Sequence, residues 1–499
     1  MPQNSVHGSP TGRAVGGTEN SWCRAVPGGT GLVTVALLLS KPPEASLLQS
    51  ALHTLQNRHA LLGSKLHYGT TTNTFSFITS PIPPLQVKSF NLSSTCHLLQ
   101  SLVSSPNTHS VSPFHLILEH ELNQNPWCNL KSPSYDDGTD VFFASIYTLP
   151  DAKWVVLLRL HTAVCDRTTA VSLLRELIGV VREKEGGGRE EKMRDDGEVS
   201  LGIEDFIPSG KAKKALWVRG VDMLSYSVNS LQLTNLKFKD VKSPRSSEVV
   251  RLQLNQDDTE SLLAIWGYNT TDGNSEWWWS MGAINEGCSA KGIKLCGALV
   301  AAALIAGHSS KRPADHHKEK YAVVTLTDCR PILDPPLSTH HFGFYHSAVL
   351  NTLSMKGGEK LWELARRSYM AFANSKNCNK HFSDMADLNF LMRKAIENPS
   401  LTSASSLRTS FLTVFEDPVI ETNDEIYREI VGLEDYIGCA SVHGIGPSIA
   451  IFDTIRGGML DCACVYPSPL HSREQMEELL HNMKRLLVDA AAHNRVPNE

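Results

Sequence analysis

The chain has 499 residues, 41% hydrophobic and 20% charged, with 47 Lys and Arg against 52 Asp and Glu and a formal charge of -5. This length excludes one small module, and the mildly acidic balance argues against a nucleic-acid binder, which needs a basic surface to neutralise phosphates. Eleven cysteines, an odd number with no C-x2-C pair and only Cys462 and Cys464 close in sequence, read as reduced thiols of a cytoplasmic protein.

The opening MPQNSVHGSPTGRAVGGTEN has no apolar stretch of the secretory kind, and only Arg13 and Arg24 precede the first apolar run, too few for a transit peptide. Residues 1–21 are therefore expected to be a disordered lead-in. Leu32 to Leu39 (LVTVALLL), bounded by Gly28, Gly29 and Gly31 and by Pro42-Pro43, reads as a buried strand. Leu47, Leu48, Ala51, Leu52 and Leu55 then recur at helical spacing. Phe75 to Phe90 suggests short strands broken by Pro81, Pro83 and Pro84. Val141–Tyr147 and Trp154–Leu160 suggest an antiparallel pair about Pro150-Asp151, followed by a helix over Thr168–Val181. Asn91 and Asn269 head glycosylation-type triplets, which have no meaning without secretion.

REKEGGGREEKMRDDGEV, from Arg182 to Val199, buries nothing and reads as a solvated linker. Beyond it the patterns predict strands at Glu248–Leu254, Tyr321–Thr327, Leu407–Phe415, Ser448–Thr454 and Met459–Val465. Helices are predicted at Asp257–Ile265, Leu295–Ala306 and Arg473–Ala490. The expected division is an N-terminal lobe at 22–181, a charged flexible linker at 182–215 and a C-terminal lobe at 216–499. No apolar run reaches the roughly 18 residues of a membrane-spanning helix. Trp277, Trp278 and Trp279 read as lobe-surface packing rather than a ligand-stacking patch, and Lys211, Lys213 and Lys214 as a solvated helix start.

The strand WVVLLRL runs directly into His161-Thr162-Ala163-Val164-Cys165-Asp166-Arg167. This segment resembles the His-His-x-x-x-Asp-Gly signature of the CoA-dependent acyltransferase superfamily. That superfamily includes chloramphenicol acetyltransferase, carnitine and alcohol acyltransferases, plant BAHD acyltransferases and the condensation domains of peptide synthetases. Three further blocks are similar to it: Arg58 to Leu62 closing the first strand and helix; TDCRPILDPPLSTHHFGFY, with Arg330, Pro335, Pro336, Phe342 and Gly343 matching; and the last strand and helix, including Tyr466.

The resemblance implies an α+β fold of two chloramphenicol-acetyltransferase-like lobes with a tunnel between them. It also implies transfer of an acyl group from a CoA thioester to a small alcohol or amine, with acyl-CoA as co-substrate and no metal or permanently bound cofactor. The partners implied are the small-molecule donor and acceptor, with no nucleic acid and no membrane span. In the family the second histidine of the signature is the general base; here it is Thr162, whose hydroxyl cannot act as a base near neutral pH. The signature glycine is Arg167, and Ser441–Ser448 (SVHGIGPS) stands where a BAHD protein has Asp-Phe-Gly-Trp-Gly. The alternative is therefore a catalytically inactive relative that binds a ligand or a protein.

The family aspartate is structural, which implies that Asp166 pairs with Arg330; Asp166 also suits the N-cap of the following helix. His161, adjacent to Thr162 on a strand, is expected to face the other way and to be a core histidine rather than a base. Cys165 reads as a buried hydrophobe unless the helix start lowers its pKa. His340, His341, His346 and His443 are further tunnel candidates with Gly343. His443, beside Gly444 and Gly446, is the first of them to test.

Overall fold

The computed structural model describes residues 12–79, 84–103, 111–129, 138–185, 199–215, 217–223, 233–264, 292–311, 318–399 and 406–492. In chain order these form β1 (Gly12–Ala14), α1 (Gly17–Ala25), β2 (Thr30–Leu39), α2 (Ala45–Arg58), β3 (Ser64–Gly69), β4 (Thr74–Thr79) and β5 (Val87–Phe90). Next come α3 (Leu92–Leu102), α4 (Pro113–Leu122), β6 (Thr139–Asp140), β7 (Phe142–Thr148), β8 (Trp154–His161) and α5 (Arg167–Glu185). The second half holds β9 (Ser246–Gln253), α6 (Gln256–Ala264), α7 (Leu295–Ser309), β10 (Glu319–Asp328), β11 (His346–Met355), α8 (Leu361–Asn377), α9 (Lys380–Ser383) and α10 (Met385–Glu397). It ends with β12 (Arg408–Phe415), β13 (Val419–Glu421), α11 (Asp424–Val431), β14 (Leu433–Val442), β15 (Gly446–Arg456), β16 (Met459–Ser468) and α12 (Arg473–Ala492).

Two compact units result, and neither is a continuous stretch of chain. The first comprises residues 1–207, 330–345 and 425–441; the second comprises 208–329, 346–424 and 442–499. The expected lobes at 22–181 and 216–499 are corrected accordingly, because two short segments of the second half pack into the first unit. The expected linker is also shortened. Arg182 to Glu185 continue α5, and 199–207 belong to the first unit, where Ile203 is buried and Leu201 accepts a hydrogen bond from Tyr345 Oη at 2.8 Å. Most of the charged run, 186–198, lies outside the described residues, as do Trp277, Trp278, Trp279, Asn269 and Cys288.

In the first unit a sheet of order β14-β2-β8-β7-β5 lies at the centre, with β8 antiparallel to both β2 and β7. A strand with neighbours on both sides and cover on both faces needs apolar residues throughout, which is why TGLVTVALLL and WVVLLRL show no polar alternation. Val156, Leu158 and Leu160 of β8 join Leu48, Leu52 and Leu55 of α2 and Leu173, Leu174 and Leu177 of α5 in one core. By the two-residue period of the strand, Arg159 and His161 share the opposite face. A second sheet has the order β1-β4-β3-β6.

β1 overturns part of the expected disorder at 1–21. Gly12 to Ala14 pair with β4, and Arg13 donates to Glu19 at 2.6 and 2.7 Å. Glu204 accepts from both the N–H and the hydroxyl of Thr18 at 2.6 Å. Polar bonds, with Val15 the one aliphatic side chain of the described part packed on the core, order this segment, so its composition concealed it.

The second unit is built on a sheet of order β11-β10-β12-β15-β16-β9, with β13 beside β15. The helix α7, LCGALVAAALIAGHS, is apolar on all faces because it is the central helix of this core, against β10, β12, α8 and α12. Lys214 is not the solvated charge expected of it: it meets Asp222, Asp384 and Asp387 at 2.5, 2.7 and 3.4 Å. No disulfide joins the cysteines among the described residues, and no described helix is long and apolar enough to cross a membrane.

Candidate functional site

β8 delivers the His161–Asp166 segment to the edge of the first unit's core, where the chain leaves the strand through a short 3-10 turn, Thr162–Val164, and enters α5. Upstream, Arg159 is buried and neutralised by Glu121 of α4, which also accepts the Tyr147 hydroxyl. Nothing in the sequence pattern marked this triad, because its three members come from separate elements.

Asp166 anchors the segment. Its carboxylate accepts from Thr169 N–H to Oδ1 at 2.8 Å, from Tyr345 N–H to Oδ2 at 2.8 Å, and from Arg330 Nη1 and Nη2 at 2.9 and 3.1 Å. Both partners of the ion pair are buried, and the fork of Arg330 matches the two carboxylate oxygens. Asp166 thus caps α5 and pairs with Arg330 at once.

Arg330 also donates to His341 O, from Nε and Nη2 at 3.2 Å, and to Thr169 Oγ1 at 3.0 Å. The guanidinium also lies over the Tyr345 ring, 4.9 Å from its centroid. His341 therefore contributes through its carbonyl. The Gly343 carbonyl receives Asp166 N–H at 3.1 Å and the Thr169 hydroxyl at 2.9 Å. Gly343 has φ +150°, and a Cβ there would meet Tyr345 Cε2 at 2.7 Å, so the position needs glycine. Thr169 and the Tyr345 N–H were not legible beforehand; one is a helix-start hydroxyl and the other a backbone group.

His161 is fully buried. Its Nδ1 accepts Ala163 N–H at 3.1 Å, and its ring stands edge-on to Trp127 at 5.1 Å. Nε2 has no partner among the described residues. Burial lowers the imidazole pKa to about 3, so the ring is neutral and sealed at physiological pH. Cys165 is buried too, and desolvation, with the Asp166 charge next, pushes its thiol pKa well above the ordinary value. The helix start does not activate it. Arg167 begins α5 without a positive φ, so the signature glycine's freedom is not required at this position.

Thr162 packs its methyl against the backbone of β2. A Cβ on Gly31, whose φ is +94°, would lie 2.8 Å from Thr162 Cγ2 and 3.2 Å from Trp22 Cε3. Gly31→Ala should cost about 1–3 kcal/mol from the left-handed backbone and the clash together, read as a lowered thermal midpoint. An unchanged midpoint would mean that the loop moves freely against β2.

The other histidines are dispersed. His340 is exposed and pairs with Glu176 at 2.7 Å; Glu176 also holds His59 at 2.8 Å, stacked on Phe342. In the second unit, His346 packs edge-on to Phe415, and His443 Nδ1 bonds Ser247 Oγ at 3.0 Å. Among the described residues no group of three or more His, Cys, Asp or Glu could hold a metal ion.

No family model matches the chain, and no curated protein matches its sequence. Solved structures do match along nearly its full length. The trichothecene 15-O-acetyltransferase of Fusarium sporotrichioides aligns with a TM-score of 0.66 at 10% identity, over 98% of this chain and 96% of that one. The epimerization domain of tyrocidine synthetase B gives 0.62 at 12% identity, over 99% of each chain. Polyketide synthase associated protein 5 of Mycobacterium tuberculosis gives 0.60 at 12%, over 97% and 98%. A condensation domain of the calcium-dependent antibiotic synthetase gives 0.57 at 13%, over 96% of each. With its two mixed units and this set of structural neighbours, the chain has the α+β fold of the CoA-dependent acyltransferases and condensation domains.

Proposed function

We propose that the chain is an acyl-thioester-binding relative of the acyltransferases whose motif loop no longer performs base catalysis. One observation carries the reading: His161, which adjoins the residue that the resemblance aligns with the general base, Thr162, is enclosed, neutral and committed to Ala163 N–H. A positioned base is typically worth roughly 10²- to 10⁴-fold in rate, so its loss removes the main proton-transfer route. Acyl-CoA enters this reading as a ligand that comes and goes.

A second reading is supported by the clamp on Asp166, which ties the loop to Arg330 and to Tyr345 N–H. In that reading the chain transfers an acyl group from a CoA thioester to a small alcohol or amine. The Thr162 hydroxyl would position the acceptor or the oxyanion, and the proton would leave to a base on the substrate.

Release of free CoA thiol from a panel of acyl-CoAs, with alcohol and amine acceptors, separates the two. Binding by calorimetry without thiol release supports the first. Thiol release that follows acceptor concentration establishes the second.

A further inference from the structure

Arg408 opens β12 in the second unit and is buried. Its guanidinium is satisfied by carbonyls alone. Nε donates to Ser406 O at 3.2 Å, Nη1 to Val442 O at 2.9 Å and Pro447 O at 2.6 Å, and Nη2 to Gly444 O. Arg245 donates from Nη1 to the same Ser406 carbonyl at 2.7 Å. Two cations therefore converge on one oxygen, and no carboxylate pairs with either among the described residues. The residues preceding Ser406, 400–405, read Ser-Leu-Thr-Ser-Ala-Ser and supply no acid. Buried charges are otherwise paired, so this arrangement is anomalous in a chain whose net charge is negative.

The backbone held by the two arginines is also unusual. Ser406 and Leu407 are consecutive residues in the left-handed region, with φ of 50° and 64°, fixed by Gly446 N–H to Leu407 O at 3.1 Å. Such strain persists where the surroundings over-determine it, and it clusters at ligand sites.

His443 completes the group. Ser247 Oγ accepts Val442 N–H at 2.8 Å and lies 3.0 Å from His443 Nδ1. When the Ser247 hydroxyl donates to Nδ1, the neutral ring carries its single hydrogen on Nε2. The carbonyls on either side of it, Val442 O and Gly444 O, are both held by Arg408; burial first, then the fields of Arg408 and Arg245, lower its pKa to about 4, so the ring is neutral near pH 7.

We infer that Arg245, Arg408 and His443 form a binding site for one small oxyanion group, a carboxylate or a phosphate, carried by a ligand of this protein. The N–H groups of Arg245 that have no partner among the described residues and the Nε2–H of His443 are donors, and Arg408 supplies a fixed charge behind them. The site stands whether or not the motif loop turns over a thioester.

The test uses the full chain with isotope-labelled histidine, the His443 signal being assigned by its loss in His443→Gln. Sodium chloride is exchanged for sodium acetate or sodium phosphate at constant ionic strength. A saturable shift of the His443 signal is expected with at least one oxyanion. Acetate alone marks a carboxylate ligand, and phosphate marks a phosphoryl group. Arg245→Gln should weaken half-saturation at least about tenfold, with partial recovery in Arg245→Lys, as loss of a charged hydrogen bond implies. The other histidine signals report whether each variant is folded. No saturable shift with either oxyanion, an equal response to chloride, or an unchanged titration in folded Arg245→Gln overturns the inference.

Discussion

Replacing Arg330 by methionine is expected to lower the thermal midpoint of the first unit by roughly 10 °C. Breaking a buried ion pair by removing one partner typically costs about 3–5 kcal/mol, because the surviving charge is left uncompensated. Here the survivor is Asp166, with both side chains of the pair enclosed, and the same substitution strips donors from His341 O and Thr169 Oγ1. Arg330→Lys should recover only part of the loss, since an ammonium cannot match the two-pronged contact at 2.9 and 3.1 Å. Asp166→Leu combined with Arg330→Met should be less damaging than the two single changes summed, because no charge is then stranded. A midpoint unchanged in Arg330→Met would show that the pair does not hold the motif loop.

Acidification from pH 7 toward pH 4 is expected to destabilise the chain steeply, before most carboxylates titrate. His161 and His471 have pKa values lowered to about 3, and His381 and His443 to about 4, in each case by burial first. For the last three, neighbouring cations add to the effect: Arg408 and then Arg245 for His471 and His443, and Lys376 for His381. The unfolded chain binds those protons near pH 6.5, whereas the folded one excludes them down to pH 4 or below. In that window the unfolded state holds more protons, so stability falls as pH falls, by up to roughly 1.4 kcal/mol per pH unit for each histidine. Glu416, held down to about 2 by Lys294 and Lys376 against its own desolvation, extends the loss to lower pH. The denaturation midpoint measured at pH 7, 6 and 5 should decline progressively. His161→Leu should flatten the decline by about one proton's worth. A midpoint independent of pH across this range would contradict the burial of these rings.

The strands and helices that position the motif were legible because they are long and their periodicity is strong. β2 and β8 read as continuous apolar runs, α2 as a stripe, and the observed bounds differ from the expected ones by a few residues at most. What escaped were contacts carried by the backbone or by short polar side chains. Arg13, Thr18 and Glu19 order the residues before β2 through hydrogen bonds, in a stretch whose composition resembles disorder. The second unit's Arg408 looked like the edge of a strand, since nothing in the neighbouring sequence reveals that four carbonyls, and among the described residues no carboxylate, hold it. The discontinuous division also lay beyond sequence patterning, because 330–345 and 425–441 carry no boundary signal; they join the first unit through Arg330, Gly343, Tyr345 and β14. At the motif segment the residue type announced the clamp, since Asp166 and Arg330 form the buried pair expected of them.

The proposal that base catalysis is lost is tested most directly by thiol release from acyl-CoA, followed in parallel for the native chain, Thr162→Ala and Thr162→His. The account predicts saturable acyl-CoA binding by all three. It also predicts release at the uncatalysed rate for the native chain and Thr162→Ala, and release above it only for Thr162→His, by up to the roughly 10²- to 10⁴-fold that a positioned base supplies. Acceptor-dependent release by the native chain that disappears in a folded Thr162→Ala variant would contradict it.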